Sequence, residues 1–236
     1  MQTVLVTGSG RGLGLELTKR HVERGDVVYA TCRRLTAELK QLAQRFDRVK
    51  VVEMDVSRGQ SVHGAATEIS QHVSHLDIVY SNAGVYRFED EVPFTEIDFE
   101  QALDVYNINA LGFLRVIQAF LPLIGEGTMV LGISSDCASV RSASGIDFTK
   151  APRYANYPYY MSKAAMNMAG CLVDGEIYRK GGRLILVHPG WMKTEMGGPN
   201  ALIPVGESAS AIVAMATRER PVSGRFVDYT GKPMEW

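Results

Sequence analysis

Cysteine is scarce in this chain: 236 residues contain only Cys32, Cys137 and Cys171, odd in number, far apart and without a C-x-x-C pair. That excludes a disulfide framework and points to a reducing, cytoplasmic setting. Charge of one sign is missing as well. Lys and Arg number 25 against 26 Asp and Glu, a formal net charge of −1, so neither nucleic acid nor an anionic membrane is an expected partner. No apolar run approaches the ~20 residues of a membrane span. The first strand is read from the second residue, which leaves no room for a signal peptide. What is present is ordinary globular material, 46% hydrophobic and 22% charged, enough to bury a full core. Repeats, low-complexity tracts and linkers are absent, so one domain over residues 1–236 is expected.

Short β-branched runs alternate with helical stretches. Residues 4–6 precede a helical segment closing at Gly25, residues 27–30 one over 35–46, and residues 49–54 a longer one. In the last of these Val62, Ala65, Ala66, Ile69 and Val73 recur at helical spacing, with Ser57 as the candidate N-cap. A strand over 76–80, a helical region over 99–121 stopped near Pro122, a strand over 129–133 and a helix over 163–178 ending at Gly181-Gly182 follow. A strand over 184–187 leads into His188-Pro189-Gly190, and a further helix begins near Glu207. Continuous apolar strands separated by helices predict an α/β fold, a doubly wound parallel sheet covered on both faces.

In such sheets ligands bind beyond the carboxyl ends of the strands, and the chemistry-bearing residues follow the apolar runs. After the first comes Thr7-Gly8-Ser9-Gly10-Arg11-Gly12-Leu13-Gly14. Gly8, Gly12 and Gly14 permit a tight turn, close approach to a phosphate and close helix packing. The spacing departs from G-x-G-x-x-G, yet the following helix can offer its N-terminus to a pyrophosphate. After the second run stands Thr31-Cys32-Arg33-Arg34, where NAD sites commonly carry a carboxylate for the ribose. Arg33, with Arg11 adding positive charge, suits a 2′-phosphate and favours NADP(H) over NAD; a solvated basic loop is the plain alternative. Asp55, followed by Val56, could accept from the adenine amino group or cap a helix. Asn82 in Asn82-Ala83-Gly84 could touch a ligand or brace the sheet. Ser134-Ser135 follows the fifth run.

Tyr159 and Lys163 are i,i+4 neighbours on one helix face. A free phenol near pKa 10 must drop by roughly 3 units to exchange protons near neutrality. One ammonium shifts a neighbour by roughly 1–3 units, so Lys163 alone is marginal, and Lys163 with a cationic oxidised nicotinamide suffices. His72 and His75 lack a partner set, so no metal site is expected. Cys137, close to Ser135, reads as a small packing residue ahead of an oxidant-sensitive thiol.

Taken in order, T-G-x-x-x-G-x-G at 7–14, Asn82-Ala83-Gly84, Asn109, Ser135, Tyr159 with Lys163, and Pro189-Gly190 with Thr194 resemble the short-chain dehydrogenase/reductase family over the whole chain. Within it, the run 188–199 and the ending 223–236 are similar to the C-factor-like and carbonyl-reductase-like branch. The resemblance implies a seven-stranded Rossmann-type sheet in the order 3-2-1-4-5-6-7. It implies a tetrad in which Tyr159 exchanges a proton with the substrate oxygen, Ser135 holds that oxygen, Lys163 tunes the tyrosine and holds the ribose, and Asn109 keeps a water. It places Arg33 on the 2′-phosphate, and Thr194 and the backbone through Gly190 and Met192 on the carboxamide. The implied substrate is a small-molecule carbonyl compound or alcohol, with a cofactor-sensing regulatory protein as the alternative. The implied assembly is a homodimer or homotetramer through the Tyr159 helix, with Ala164, Ala165, Ala169 and Gly170, and through the helix near Asn109.

Three departures from the family pattern stand out. Ser81 replaces an asparagine. The segment after Thr194 is short, predicting an open pocket. The long stretch 136–158 carries Arg141, Lys150, Arg153, Tyr154 and Tyr157, either a wall for an anionic or aromatic ligand or a solvated loop or oligomer contact.

Overall fold

The computed structural model describes residues 1–144, 155–217 and 225–236. Seven strands form the sheet: β1 (Thr3–Thr7), β2 (Val27–Cys32), β3 (Val49–Glu53), β4 (Ile78–Ser81), β5 (Met129–Ile133), β6 (Arg183–His188) and β7 (Arg225–Asp228). Their order is β3-β2-β1-β4-β5-β6-β7, and every neighbouring pair is parallel. This is the expected Rossmann-type order, and parallel pairing brings all the carboxyl ends to one edge.

Alternation along the strands divides the core. Val4 and Val6 pack into the cluster under α1 (Gly12–Glu23), α2 (Ala37–Arg45) and α8 (Val205–Ala216), with Leu17, Leu39 and Ile212. Leu5, between them, faces the opposite cluster under α3 (Gly59–Ser70), α5 (Gly112–Phe120) and α7 (Tyr157–Arg179), with Ile69, Phe113 and Met166. Side chains of period two thus fill both layers, the reason the strands read as unbroken apolar runs.

The element that carries the site, α7, lies unusually close to the sheet. A Cβ at Gly132 on β5 would stand 2.7 Å from Leu186 Cδ2 and 3.0 Å from Met166 Cε, and one at Gly170 on α7 2.8 Å from Leu186 Cδ1. Two bare positions therefore let the helix settle over β5 and β6. Gly170, predicted as a helix–helix contact, serves helix–sheet packing instead.

Other expectations change in detail. The helical region over 99–121 is three pieces: α4 (Phe99–Tyr106), a π-turn (Asn107–Leu111) and α5, followed by a 3-10 turn containing Pro122. The inserted π residue re-aims side chains, a local cost kept mainly where a site needs it. Ser57 does not cap α3. Arg58 holds that position without a side-chain bond, because Ser57 donates both its N–H (3.0 Å) and its hydroxyl (2.7 Å) to Asp55 Oδ1. The helix expected over 163–178 begins earlier, at Tyr157, where Asn156 accepts from the Tyr159 N–H. Asn156 also belongs to a two-residue antiparallel ladder, Ala155–Asn156 against Glu91–Val92, which no sequence pattern announces. Within the long stretch, Arg141 lies on α6 (Val140–Ser144) and Tyr157 opens α7; Lys150, Arg153 and Tyr154 fall outside the described residues, as do Ser223 and Gly224. Among the described residues, no helix is long and apolar enough to cross a membrane, and no group of three or more His, Cys, Asp or Glu side chains is placed to hold a metal ion.

Candidate active site

The glycine turn leaves β1 by a backbone only glycine follows easily, with φ of +70° at Gly8 and +55° at Gly12. A Cβ on Gly14 would fall 2.3 Å from the Gly8 carbonyl oxygen, so any side chain there would force α1 off the turn. Neighbouring side chains brace this frame. Thr7 Oγ1 accepts from the N–H groups of Asn82 (3.0 Å) and Ala83 (2.9 Å), and the Asn82 amide donates to the Thr7 carbonyl at 2.7 Å. Ser9, fully buried, donates its hydroxyl to the Val6 carbonyl at 2.8 Å, and Leu13 sits in the core. Of the two roles open to Asn82, these contacts make it a clamp between β1 and β4. The N-terminus of α1 has no side-chain cap and no acidic residue in its first turn. Its orphan N–H groups and positive dipole end therefore face the turn uncompensated.

Beside the turn, Thr36 caps α2 and donates its hydroxyl to the Gly10 carbonyl at 2.7 Å, tying the end of β2 to the glycine segment. Arg33 is exposed there. Asp55 is committed to a turn with Ser57. Burial raises its carboxyl, but the Ser57 hydrogen bonds, with Arg33 and Arg58 nearby, outweigh that and hold it below the ordinary range. Val56 is buried against Gly112. Arg11 does not add its charge to the Arg33 side. It pairs with Glu195 on the loop after β6, where Thr194 Cγ2 lies within 3.6 Å of a Cβ built on Gly12.

Tyr159, Lys163, Ser135 and Asn109 converge beyond β4 and β5. Lys163, 4% exposed, donates Nζ to the Ile133 carbonyl at 2.8 Å and lies 5.8 Å from the centre of the Tyr159 ring. Burial brings its ammonium down to about 8. Burial drives the Tyr159 phenol upward, Cys137 and Asp136 reinforce the rise, and a hydrogen bond with Ser135 opposes it only in part. In the protein alone, then, Lys163 does not acidify the phenol, in keeping with its marginal reach; the case of lysine together with an oxidised nicotinamide is a separate one. The same desolvation that lifts the phenol weakens the cation, and that cation is held on Ile133 against the ring rather than at the hydroxyl.

Asn109 comes inward from the π-turn. Its amide donates to the Val85 carbonyl and Ser162 Oγ, both at 2.9 Å, while its oxygen accepts from the Val85 N–H at 2.8 Å. A Cβ at Gly84 would lie 3.1 Å from Asn109 Oδ1 and 3.5 Å from Lys163 Nζ, so the bare Gly84 lets these groups approach. Ser135 stands two residues past β5 and caps the 3-10 helix that follows; its hydroxyl donates to Asp136 Oδ1 at 2.9 Å and accepts from the Cys137 N–H at 3.2 Å. Burial raises the Cys137 thiol, with Asp136 adding to the effect, which keeps it in the unreactive thiol form.

Two features went unread in the sequence. Tyr86 sets its ring edge-on to Tyr159 at 4.8 Å and to Phe88 at 5.3 Å, an aromatic wall at the tyrosine. His188, at the end of β6, accepts the Asp136 N–H on Nδ1 at 3.0 Å. His188 opens the run 188–199 already singled out, but nothing in that run announces its contact with Asp136; for Tyr86, standing two residues past Gly84 was the one available signal. The loop after β6 folds back on itself. Gly190 adopts φ of +80° against Ile203, Met192 bridges Ile203, Thr194 Oγ1 accepts from the Gly197 N–H, and the Pro189 carbonyl accepts from Ser208. Folded back so, the loop reaches the aromatic wall: a Cβ on Gly198 would be 3.2 Å from Phe88 Cζ. A groove of about 430 Å³ between α5 and α7, lined by Leu114, Ile117, Leu121 and Val173, shares no residue with this site.

Several known proteins are similar to this chain. The C-signal of Myxococcus xanthus is 34% identical over 164 residues, 68% of this chain and 93% of that protein. The 1-hydroxy-2-glutathionyl-2-methyl-3-butene dehydrogenase of Rhodococcus sp. (strain AD45) is 30% identical over the full length of both. Among solved structures, the NADPH-bound carbonyl reductase from chicken fatty liver superposes with a TM-score of 0.89 at 26% identity, over 100% of this chain and 99% of that one. A carbonyl reductase from Pseudomonas aeruginosa PAO1 in complex with NADP gives 0.80 at 32% identity over the whole of both. The family model described as short chain dehydrogenase matches residues 2–201, a span that holds the glycine turn, the tyrosine–lysine pair and the loop after β6 alike, and the chain belongs to that family.

Proposed function

We propose that the protein is an NADPH-dependent oxidoreductase interconverting a carbonyl compound and the corresponding alcohol, with Tyr159 as general acid/base. The observation that carries this reading is the meeting of Tyr159, Ser135 and Lys163 beside an uncapped helix N-terminus at the carboxyl edge of the sheet. The residues fit the cofactor. Gly8 and Gly14 sit where a Cβ would strike backbone atoms at 2.9 Å or less, and the α1 N-terminus suits a pyrophosphate. Arg33, with no carboxylate at the end of β2, suits a 2′-phosphate, and two of the similar solved structures hold NADPH or NADP. When bound, the cofactor supplies or takes up the two electrons of the reaction.

The protein's own residues then divide the remaining work. In reduction, the lifted phenol of Tyr159 holds its proton until the substrate oxygen takes it. Ser135 turns its single hydroxyl proton from Asp136 to the same oxygen. Lys163 puts positive charge behind the tyrosine ring, and Asn109 fixes Val85 and Ser162 and with them the start of α7. Thr194, Met192, Pro189 and Gly190 frame the carboxamide side. Tyr86 and Phe88 exclude water and favour an apolar or aromatic carbonyl substituent.

The test is NADPH oxidation by the purified protein with a panel of ketones, aldehydes and quinones. Tyr159→Phe is expected to lower kcat by about 10²–10⁴-fold while NADPH binding stays near wild type; an unchanged rate removes Tyr159 from the chemistry.

The 34% identity to a protein named C-signal favours a second reading, a cofactor-sensing regulator with little turnover. Tight NADPH binding with no turnover across the panel, and a partner captured in one redox state only, would select it. In either reading we take residues 1–236 as one domain that assembles as a homodimer or homotetramer and works in the cytoplasm.

A further inference from the structure

We infer that His188 is a positioning residue for Ser135, acting through the Ser135–Asp136 peptide; the inference rests on the reading of Ser135 as the group that holds the substrate oxygen. His188 is the last residue of β6, beside the end of β5, where the Ser134 N–H donates to the Val187 carbonyl at 2.8 Å. Beyond that bond β5 runs out of strand partner. The imidazole takes over from the ladder, with Nδ1 accepting the Asp136 N–H at 3.0 Å.

An imidazole nitrogen that accepts from a backbone N–H offers its lone pair, so the ring proton sits on Nε2 and the ring is neutral. Burial works in the same direction on this side chain. The 3.6 Å approach of Nδ1 to Asp136 Oδ1 is therefore a neighbour contact and not an ion pair.

The consequence falls on Ser135. Its backbone is fully extended (φ −156°, ψ 154°), and the next residues turn at once into a 3-10 helix, Asp136–Ala138. Where that turn begins decides the direction of Oγ. The turn's own bonds, Cys137 N–H to Ser135 Oγ at 3.2 Å and to Asp136 Oδ1 at 2.9 Å, are internal and would move with it. Among the described residues, the His188 bond is the one that ties the turn to the sheet across strands.

The test compares His188→Ala and His188→Asn in wild-type and Ser135→Ala backgrounds, with NADPH binding and circular dichroism confirming folded protein. His188→Ala is expected to lower kcat about tenfold or more, as a displaced reacting group does, with KM for NADPH unchanged. His188→Asn, whose amide oxygen restores an acceptor, is expected to stay within about threefold of wild type. In the Ser135→Ala background His188→Ala is expected to cost nothing further. Equal losses for the Ala and Asn variants, or the same His188→Ala loss with and without Ser135, would overturn the inference alone. A Ser135→Ala enzyme at wild-type rate would overturn the reading of Ser135 itself, and this inference with it.

Discussion

Lys163 carries the largest conflict between stability and chemistry at the scale of single residues. Its ammonium titrates at about 8 in the folded protein against roughly 10.4 for a free lysine, so folding works against its charge at neutral pH. The sign follows from proton counting: between these two values the unfolded chain binds more protons, and stability rises with pH. Lys163→Met is therefore expected to be inactive yet more stable at pH 7, by on the order of 2–3 kcal/mol. That advantage is full below pH 8, shrinks from there and is gone above about pH 10.5, which urea unfolding at a series of pH values would read. Arg33 bears the cofactor preference. Arg33→Asp is expected to weaken NADPH at least tenfold while NADH changes little, measured by fluorescence titration; equal losses would show that Arg33 does not meet the 2′-phosphate.

Among elements, α7 decides whether the site exists. Tyr159 stands in its first turn and Lys163 one turn further, so a shift of the helix moves both against Ser135, which follows β5. Gly132 and Gly170 set the helix height, and Leu186 on β6 lies against both. Gly170→Val is expected to destabilise by about 1–3 kcal/mol through overpacking and to lower kcat more than tenfold by misplacement. Thermal unfolding and steady-state rates would check the two effects separately. The α4–α5 region shows why element boundaries escaped the sequence. Residues 99–121 keep helical spacing throughout, and the π-turn that brings Asn109 inward is one extra residue in a continuous pattern, invisible to periodicity. The ladder between Glu91–Val92 and Ala155–Asn156 escaped for another reason: two residues per strand carry no alternation to read.

The whole molecule presents an apolar stripe on the outer face of α7. Met161, Met168 and Leu172 recur at helical spacing and are more than 60% exposed, near the groove lined by Leu114 and Ile117. The proposed assembly would bury this stripe. Replacing Met168 and Leu172 together by Glu is expected to yield a smaller species in sedimentation, and an unchanged mass would move the contact elsewhere. At the same scale charge is balanced, −1 overall, so cofactor affinity is expected to depend on salt through local arginines rather than through the protein's net field.

The first six strands were determined by the sequence alone, because burial on both sheet faces demands continuous apolar runs at regular intervals; β7, a four-residue edge strand, has no such run and came only with the family resemblance. The glycine turn and the tyrosine–lysine pair were determined by the sequence too, their partners lying within eight residues of one another. Tertiary structure alone decided what depends on distant chain: the Tyr86–Phe88 wall, the His188 hold on Asp136, the Arg11–Glu195 pair and the direction in which Tyr159 titrates. Counting the wall by its contact with Tyr159, those contacts join segments tens to nearly two hundred residues apart, and a proton's affinity depends on the water removed around it. Spacing along a chain records neither.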